Sequence, residues 1–197
     1  MNDRYHSVRK QGRSMYRERG SRFIGIAAPI ATEEAAESLV REIRKKYFDA
    51  SHVCYAYLIG PEMSIFKAHD AGEPRHSAGD PILNQIRSLK ISDVIVIVVR
   101  YFGGTKLGTS GLAVAYKHTA KAAIENAGIL QKTVVVTLEV EFSFEKTNEL
   151  MKIIASAKDI ICRHRFSGGN NISLEIFKSR EGEFRKMLGR IHGIIVH

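Results

Sequence analysis

The segment Arg100 to Gly111, RYFGGTKLGTSG, gathers the residue types needed to hold an anion. Arg100 and Lys106 carry fixed positive charge, and Tyr101 and Phe102 offer flat faces. Gly103, Gly104 and Gly108 free the backbone to expose its N–H groups. The segment follows six branched apolar residues, Val94 to Val99, and runs into an alanine-rich helical pattern from Leu112. A strand feeding a glycine-rich turn that opens a helix directs free N–H groups and the positive end of the helix dipole at one point, where a phosphate is stabilised. The same spacing also suits a tight turn with close packing.

The details argue against two specific chemistries. Gly103 and Gly108 have the GxxxxG spacing of a nucleotide-binding P-loop, but Thr109 occupies the position where that motif requires lysine. Ser110 lacks the G-x-S-x-G context of a nucleophile elbow. A second polar loop, His69 to Pro81 (HDAGEPRHSAGDP), brings His69, Asp70, Glu73, His76 and Asp80 close in sequence. These are donors for acid/base work, but their spacing matches no metal-ligand pattern, and Gly72, Pro74 and Gly79 read equally as a loop of fixed shape. No metal or cofactor is expected. His52, alone on a strand edge, reads as a surface or core residue.

The elements that must position these loops follow from periodicity. Val94 to Val99 is β-branched throughout and reads as a strand buried on both faces. Thr32 is a predicted N-cap, with Glu33 and Glu34 in the first turn, Lys45 and Lys46 in the last, and Ala36, Leu39, Val40, Ile43 and Tyr47 on one face. His52 to Ile59 and Ser64 to Ala68 flank the turn Gly60-Pro61-Glu62 as a hairpin. Met15 to Arg19 and Arg22 to Pro29 form a weaker one. Asp80-Pro81 marks a helix start, and a further helix from about Ser110 to Asn126 stops at Gly128.

Ile129 to Lys132 reads as a linker, after which the pattern restarts. Strand 133–142, helix 145–157, strand 159–166, strand 171–177, helix 181–188 and strand 194–196 give the order βαββαβ, the split βαβ or ferredoxin-like unit. The expectation is an α+β protein of two domains, residues 1–130 and 131–197.

The 197 residues carry a net charge of +9, which points to an anionic partner, nucleic acid before a membrane surface. Seven Lys or Arg against two acids within residues 1–22 account for +5 of that total. This basic arm reads either as a phosphate-seeking tail or as a solvated segment. Cys54 and Cys162 fit no metal spacing and suggest reduced thiols. No apolar run approaches the ~18 residues that a membrane span needs, so a cytoplasmic location is expected.

RYFGGTKLGTSGLAVAY, preceded by VIVIVV, resembles the signature of the IMPACT family, an Arg-aromatic-aromatic-Gly-Gly-x-Lys-Leu-Gly run. The likeness continues upstream through SRFIGIAAPI, DASHVCYAYLIG and AGEPRHSAGDPIL, so that residues 15 to 128 are covered. With the βαββαβ tail, the chain is similar to the bacterial YigZ-like branch. The resemblance implies an N-terminal fold like domain 2 of ribosomal protein S5 and a ferredoxin-like C-terminal domain like one in elongation factor G. Eukaryotic relatives act in translational control through a region that includes an extra N-terminal domain; no such domain is expected in this chain, so that role is not expected to carry over. Within the motifs, Ala71 stands where a second acid is usual, His76-Ser77 where Gly-Thr is common, and Val114 and Lys117 where Arg and Gly are frequent.

The reading that unites these features is a non-enzymatic protein that binds RNA or ribosomal components, with a role in translation regulation. Backbone phosphate would sit on Gly103, Gly104, Lys106 and Gly108, and Tyr101 or Phe102 would stack on a base. Arg100 would pair with phosphate or else with Asp70 or Glu73, fixing the second loop (Asp70, Gly72, Glu73, Pro74) against the first. The alternatives are a small-molecule phosphotransferase or hydrolase with Asp70 or Glu73 as base, and a protein-interaction module.

Overall fold

The computed structural model describes residues 3–197. The chain divides into two compact units: Tyr5–Lys132, and Thr133–His197 together with Asp3 and Arg4. The first unit is built on a five-stranded antiparallel sheet ordered β2 (Gly12–Glu18), β3 (Ser21–Pro29), β6 (Val94–Tyr101), β4 (His52–Ile59) and β5 (Ile65–His69). Its central strand β6 explains the run VIVIVV. Val94, Val96 and Val98 enter one core with α2 (Gly79–Ser88) and α3 (Gly108–Ala127), while Ile95, Ile97 and Val99 enter a second core with α1 (Glu33–Lys46). Helices cover both faces, so both sets of side chains are removed from water, and alternation gives way to a continuous apolar run.

Helix α1 begins as its sequence dictates: the Thr32 hydroxyl accepts from the Ala35 N–H at 3.2 Å, and acids and bases occupy opposite ends. Helix α2 begins differently from the Asp80-Pro81 expectation. Its first residue is Gly79, its N-cap is Ala78, and no cap comes from the cap residue's own side chain. The Asp70 carboxylate supplies it instead, one oxygen accepting from the N–H groups of Ala78 (3.0 Å) and Gly79 (2.8 Å).

Two expectations are corrected at the ends of this unit. Ile129 to Lys132 is not a linker but most of strand β7 (Ile129–Thr133), which pairs with β1 (Arg4–Val8) in a two-stranded sheet. The basic arm is not a tail, because residues 4–22 supply β1, β2 and the start of β3. The Arg9 N–H donates to the Gly128 carbonyl at 2.8 Å, and the Ser92 N–H to the His6 carbonyl at 2.8 Å. These partners lie more than eighty residues away, beyond what a local pattern registers.

The second unit runs β8 (Val135–Glu141), α4 (Thr147–Ser156) after a 3-10 turn, β9 (Ile161–Gly168), β10 (Asn171–Phe177), α5 (Glu181–Leu188) and β11 (Ile195–Val196). Its antiparallel sheet is ordered β11-β8-β10-β9. Leu138, Val140, Ile172, Leu174 and Ile176 share a core with Leu150 and Ile154 of α4 and with Phe184 and Leu188 of α5. Together the described residues form a mixed α and β protein with five α-helices and three sheets. None of these helices is long and apolar enough to cross a membrane.

Candidate anion-binding cleft

Strand β6 delivers Arg100 and Tyr101 to opposite faces of the sheet. Arg100 turns to the α2/α3 side, where it is 5% exposed. Its Nη1 donates to Glu73 Oε1 at 2.6 Å and its Nη2 to the Ser21 hydroxyl at 3.4 Å. The guanidinium lies between the rings of Phe23 and Phe102, with centroids at 5.4 and 5.5 Å. Arg100 Nε is buried without a hydrogen-bond partner.

Glu73 is the anchor of the second loop. It is itself buried, and the same Oε1 accepts from the Tyr116 hydroxyl of α3 at 2.8 Å. One carboxylate therefore ties together β6, the second loop and α3. Burying two ions costs several kcal/mol, and here direct contact and shared hydrogen bonds offset that cost. Tyr116 in turn accepts from the Cys54 thiol at 3.3 Å. Burial pushes that thiol up to about 12, so it stays protonated. Asp70 bonds only the backbone: its second oxygen accepts from the His76 N–H at 2.9 Å, beside the two bonds at the start of α2. Burial alone would raise its pKa, but the backbone N–H groups of Gly79, His76 and Ala78 outweigh it and hold the carboxyl below its ordinary value.

The glycine loop is shaped by contact with the β2–β3 turn. A Cβ on Gly103 would stand 1.9 Å from the Gly20 carbonyl carbon, so no side chain fits there, and the Gly103 N–H donates to the Ser21 hydroxyl at 3.2 Å. Gly104 adopts φ +86°, open to glycine at little cost. The loop then enters α3 at Gly108, a helix with neither a side-chain N-cap bond nor an acid in its first turn. Its first N–H groups thus keep their positive potential. Lys106, two residues earlier, is exposed and forms no ion pair among the described residues.

Between the two loops lies a cleft of about 450 Å³. Of the residues expected from sequence, Arg100, Phe102, Lys106, Gly108, Gly72, Glu73 and Pro74 line it. Tyr101, Gly103, Gly104 and Asp70 do not: Tyr101 faces away and donates to Asp49 Oδ1 at 2.7 Å, and the other three shape the walls. Sequence reasoning missed His52 and Thr109 as cleft residues. His52 Nδ1 lies 2.9 Å from the Ala71 carbonyl, which can only accept, so Nδ1 carries a proton and donates it there. Its place opposite Arg100 in the β4–β6 register is a tertiary fact with no local signal. The arrangement can hold one anionic group, with the N-terminus of α3, Lys106 and Thr109 as donors and Arg100 in the wall.

The Impact N-terminal domain family matches residues 19–124, which takes in the glycine loop, the second loop and all but the last turn of α3. The family member YvyE of Bacillus subtilis is 35% identical over 128 residues, covering 65% of this chain and 59% of its own. A family member of Thermus thermophilus is 45% identical over 107 residues, covering 54% of this chain and 56% of its own. YigZ of Escherichia coli is 35% identical over 126 residues, 62% of each chain. The matches thus span about six tenths of the length of these relatives. Among solved structures, a crystal structure described only as that of a hypothetical protein superposes over 100% of this chain and 97% of its own, with a TM-score of 0.71 at 23% identity, which speaks to fold alone. With its family match lying over both loops that build the cleft, this chain belongs to the IMPACT family.

Proposed function

We propose that this protein binds RNA or ribosomal components through the cleft and acts in translation regulation without catalysing a reaction. The observation that carries this reading is the uncapped, acid-free N-terminus of α3, opening beside Lys106 onto a cleft walled by Arg100. A backbone phosphate bound there accepts from the first N–H groups of the helix and from Lys106, and Phe102, half exposed, stacks on a neighbouring base. Arg100 acts as the strut that fixes the second loop, its charge already matched by Glu73. The order βαββαβ with sheet order β11-β8-β10-β9 supports a ferredoxin-like fold for the second unit. The first unit is assigned the fold of ribosomal protein S5 domain 2, as the family resemblance implies.

A small-molecule phosphate ligand is the second reading, favoured by the size of the cleft and by the place of His52 in its wall. Asp70 is not its base, because both carboxylate oxygens are engaged by backbone N–H groups. Fluorescence anisotropy with labelled single-stranded RNA, run beside thermal unfolding with nucleotides, separates the two. RNA binding that weakens in Lys106→Ala supports the proposal. A rise in Tm with a mononucleotide and no RNA binding overturns it.

A further inference from the structure

On the opposite face of the sheet from the cleft, α1 leaves the β2 edge bare. The register places Arg17 opposite Arg22, and Arg22 opposite Tyr101, so these three side chains form one row across β2, β3 and β6. The next level on that face pairs Met15 with Ile24, and the next pairs Arg13 with Ile26. Ile26 is sealed under α1, Ile24 is half-buried, and Met15 is 59% exposed. Arg13 and Arg17 are exposed, and neither they nor Arg22 form an ion pair among the described residues. The Arg22 guanidinium lies 4.4 Å from the centroid of the Tyr101 ring, and its Nε is buried without a hydrogen-bond partner.

We infer that this face is a platform for a strand of unpaired RNA, with phosphates on Arg13, Arg17 and Arg22 and bases against Met15 and Tyr101. Alternate residues along β2 stand about 6.7 Å apart, so Arg13 and Arg17 stand about 13 Å apart with the apolar Met15 midway between them, a spacing that sets every second phosphate of an extended single strand against an arginine. Arginine on an edge strand also blocks strand pairing with other chains. That purpose needs neither Arg22 on the interior strand β3 nor its stack on Tyr101. Some exposed arginines elsewhere sit beside acids, as Arg185 does with Glu181 and Arg163 with Glu175, and others, such as Arg44 and Arg75, form no ion pair among the described residues; what sets Arg17 and Arg22 apart is their place in one row with Tyr101. Unmatched arginines beside an aromatic and an apolar side chain favour a nucleic-acid strand over an acidic peptide, which has no rings to stack.

The inference rests on the RNA reading above but on different residues, so the two fail separately. The test is the binding of a labelled oligouridylate of about a dozen nucleotides across a salt series, with Arg17→Gln/Arg22→Gln, Lys106→Ala and the unaltered protein. Unchanged melting curves establish that the variants are folded. The double variant is expected to bind at least ~10-fold more weakly at low salt, with the slope of log K against log salt smaller by about 1.4, or ~0.7 for each phosphate left without its arginine. Arg17→Lys/Arg22→Lys should recover the slope but not the full affinity, since lysine stacks poorly. An unchanged affinity and slope in the double glutamine variant, while Lys106→Ala binds weakly, overturns the platform and leaves the cleft reading intact. Unchanged binding in both variants overturns both. Displacement of the oligouridylate by polyglutamate at equal charge overturns the assignment to nucleic acid.

Discussion

Arg100 and Arg22 sit at adjacent levels of the same strand pair, since Phe23 faces Arg100 and Arg22 faces Tyr101 across β3 and β6. They end in opposite situations. Arg100 is sealed between two aromatic rings with Glu73 as counter-ion, whereas Arg22 stacks on one ring at the rim of an open face with no counter-ion among the described residues. Both guanidinium groups leave Nε unbonded. The difference shows that an arginine inside a glycine-rich motif is not thereby a ligand contact. What decides its role is whether the fold has already supplied its anion.

The comparison is broken most severely by removing that anion. Glu73→Ala strands the Arg100 charge in the core and deprives Tyr116 of its acceptor, and Arg100→Ala strands Glu73. Each should cost about 3–5 kcal/mol in denaturant unfolding. A loss below about 1 kcal/mol in either would mean that the pair is not the strut described. Gly103→Ala comes next, because its Cβ collides with backbone at Gly20, and backbone cannot rotate aside as a side chain does. About 1–3 kcal/mol is expected, read from the urea midpoint.

Asp70→Ala should cost about 0.5–2 kcal/mol, the range for a lost helix cap. The same carboxylate predicts an acid dependence. Its folded pKa lies below the ordinary value despite burial, and so does that of Asp93, where N–H and O–H donors from Tyr5, Gly60 and Lys132 outweigh burial. A depressed carboxyl contributes stability above its unfolded pKa and loses it as pH falls through the folded one. The unfolding free energy should therefore hold near neutrality and decline below about pH 4, less steeply in Asp70→Asn. The smallest effect on stability belongs to the exposed residues. Lys106→Ala and Arg17→Gln should each stay within about 0.5 kcal/mol of the unaltered protein, and a larger loss would place them in the framework beside Arg100.

The sequence shows what is local and hides what is not. The run VIVIVV, the Thr32 cap and the elements of the second unit are legible because hydrophobic period and capping act over a few residues. The pairing of β7 with β1 joins the two ends of the first unit, so Ile129 to Lys132 looks like a linker and β1 looks like part of a charged tail, whereas the β2–β3 hairpin around Gly20 is visible as a weak local signal. The cleft shows the same limit. Its loops are announced by glycine and charge, but the use of Asp70 as a cap for α2 is decided by tertiary contacts. So are the sharing of Glu73 between Arg100 and Tyr116 and the arrival of His52.

The central claim is that the N-terminus of α3 holds a phosphate group while Arg100 serves as the strut. It is tested most directly by titrating the 15N-labelled protein with inorganic phosphate and following assigned backbone amides together with the Arg100 Nε–H. Saturable shifts concentrated at Lys106 to Gly111, weakened in Lys106→Ala with the fold unchanged, are the predicted result. Shifts that do not saturate there, or that are the same in Lys106→Ala, would contradict it.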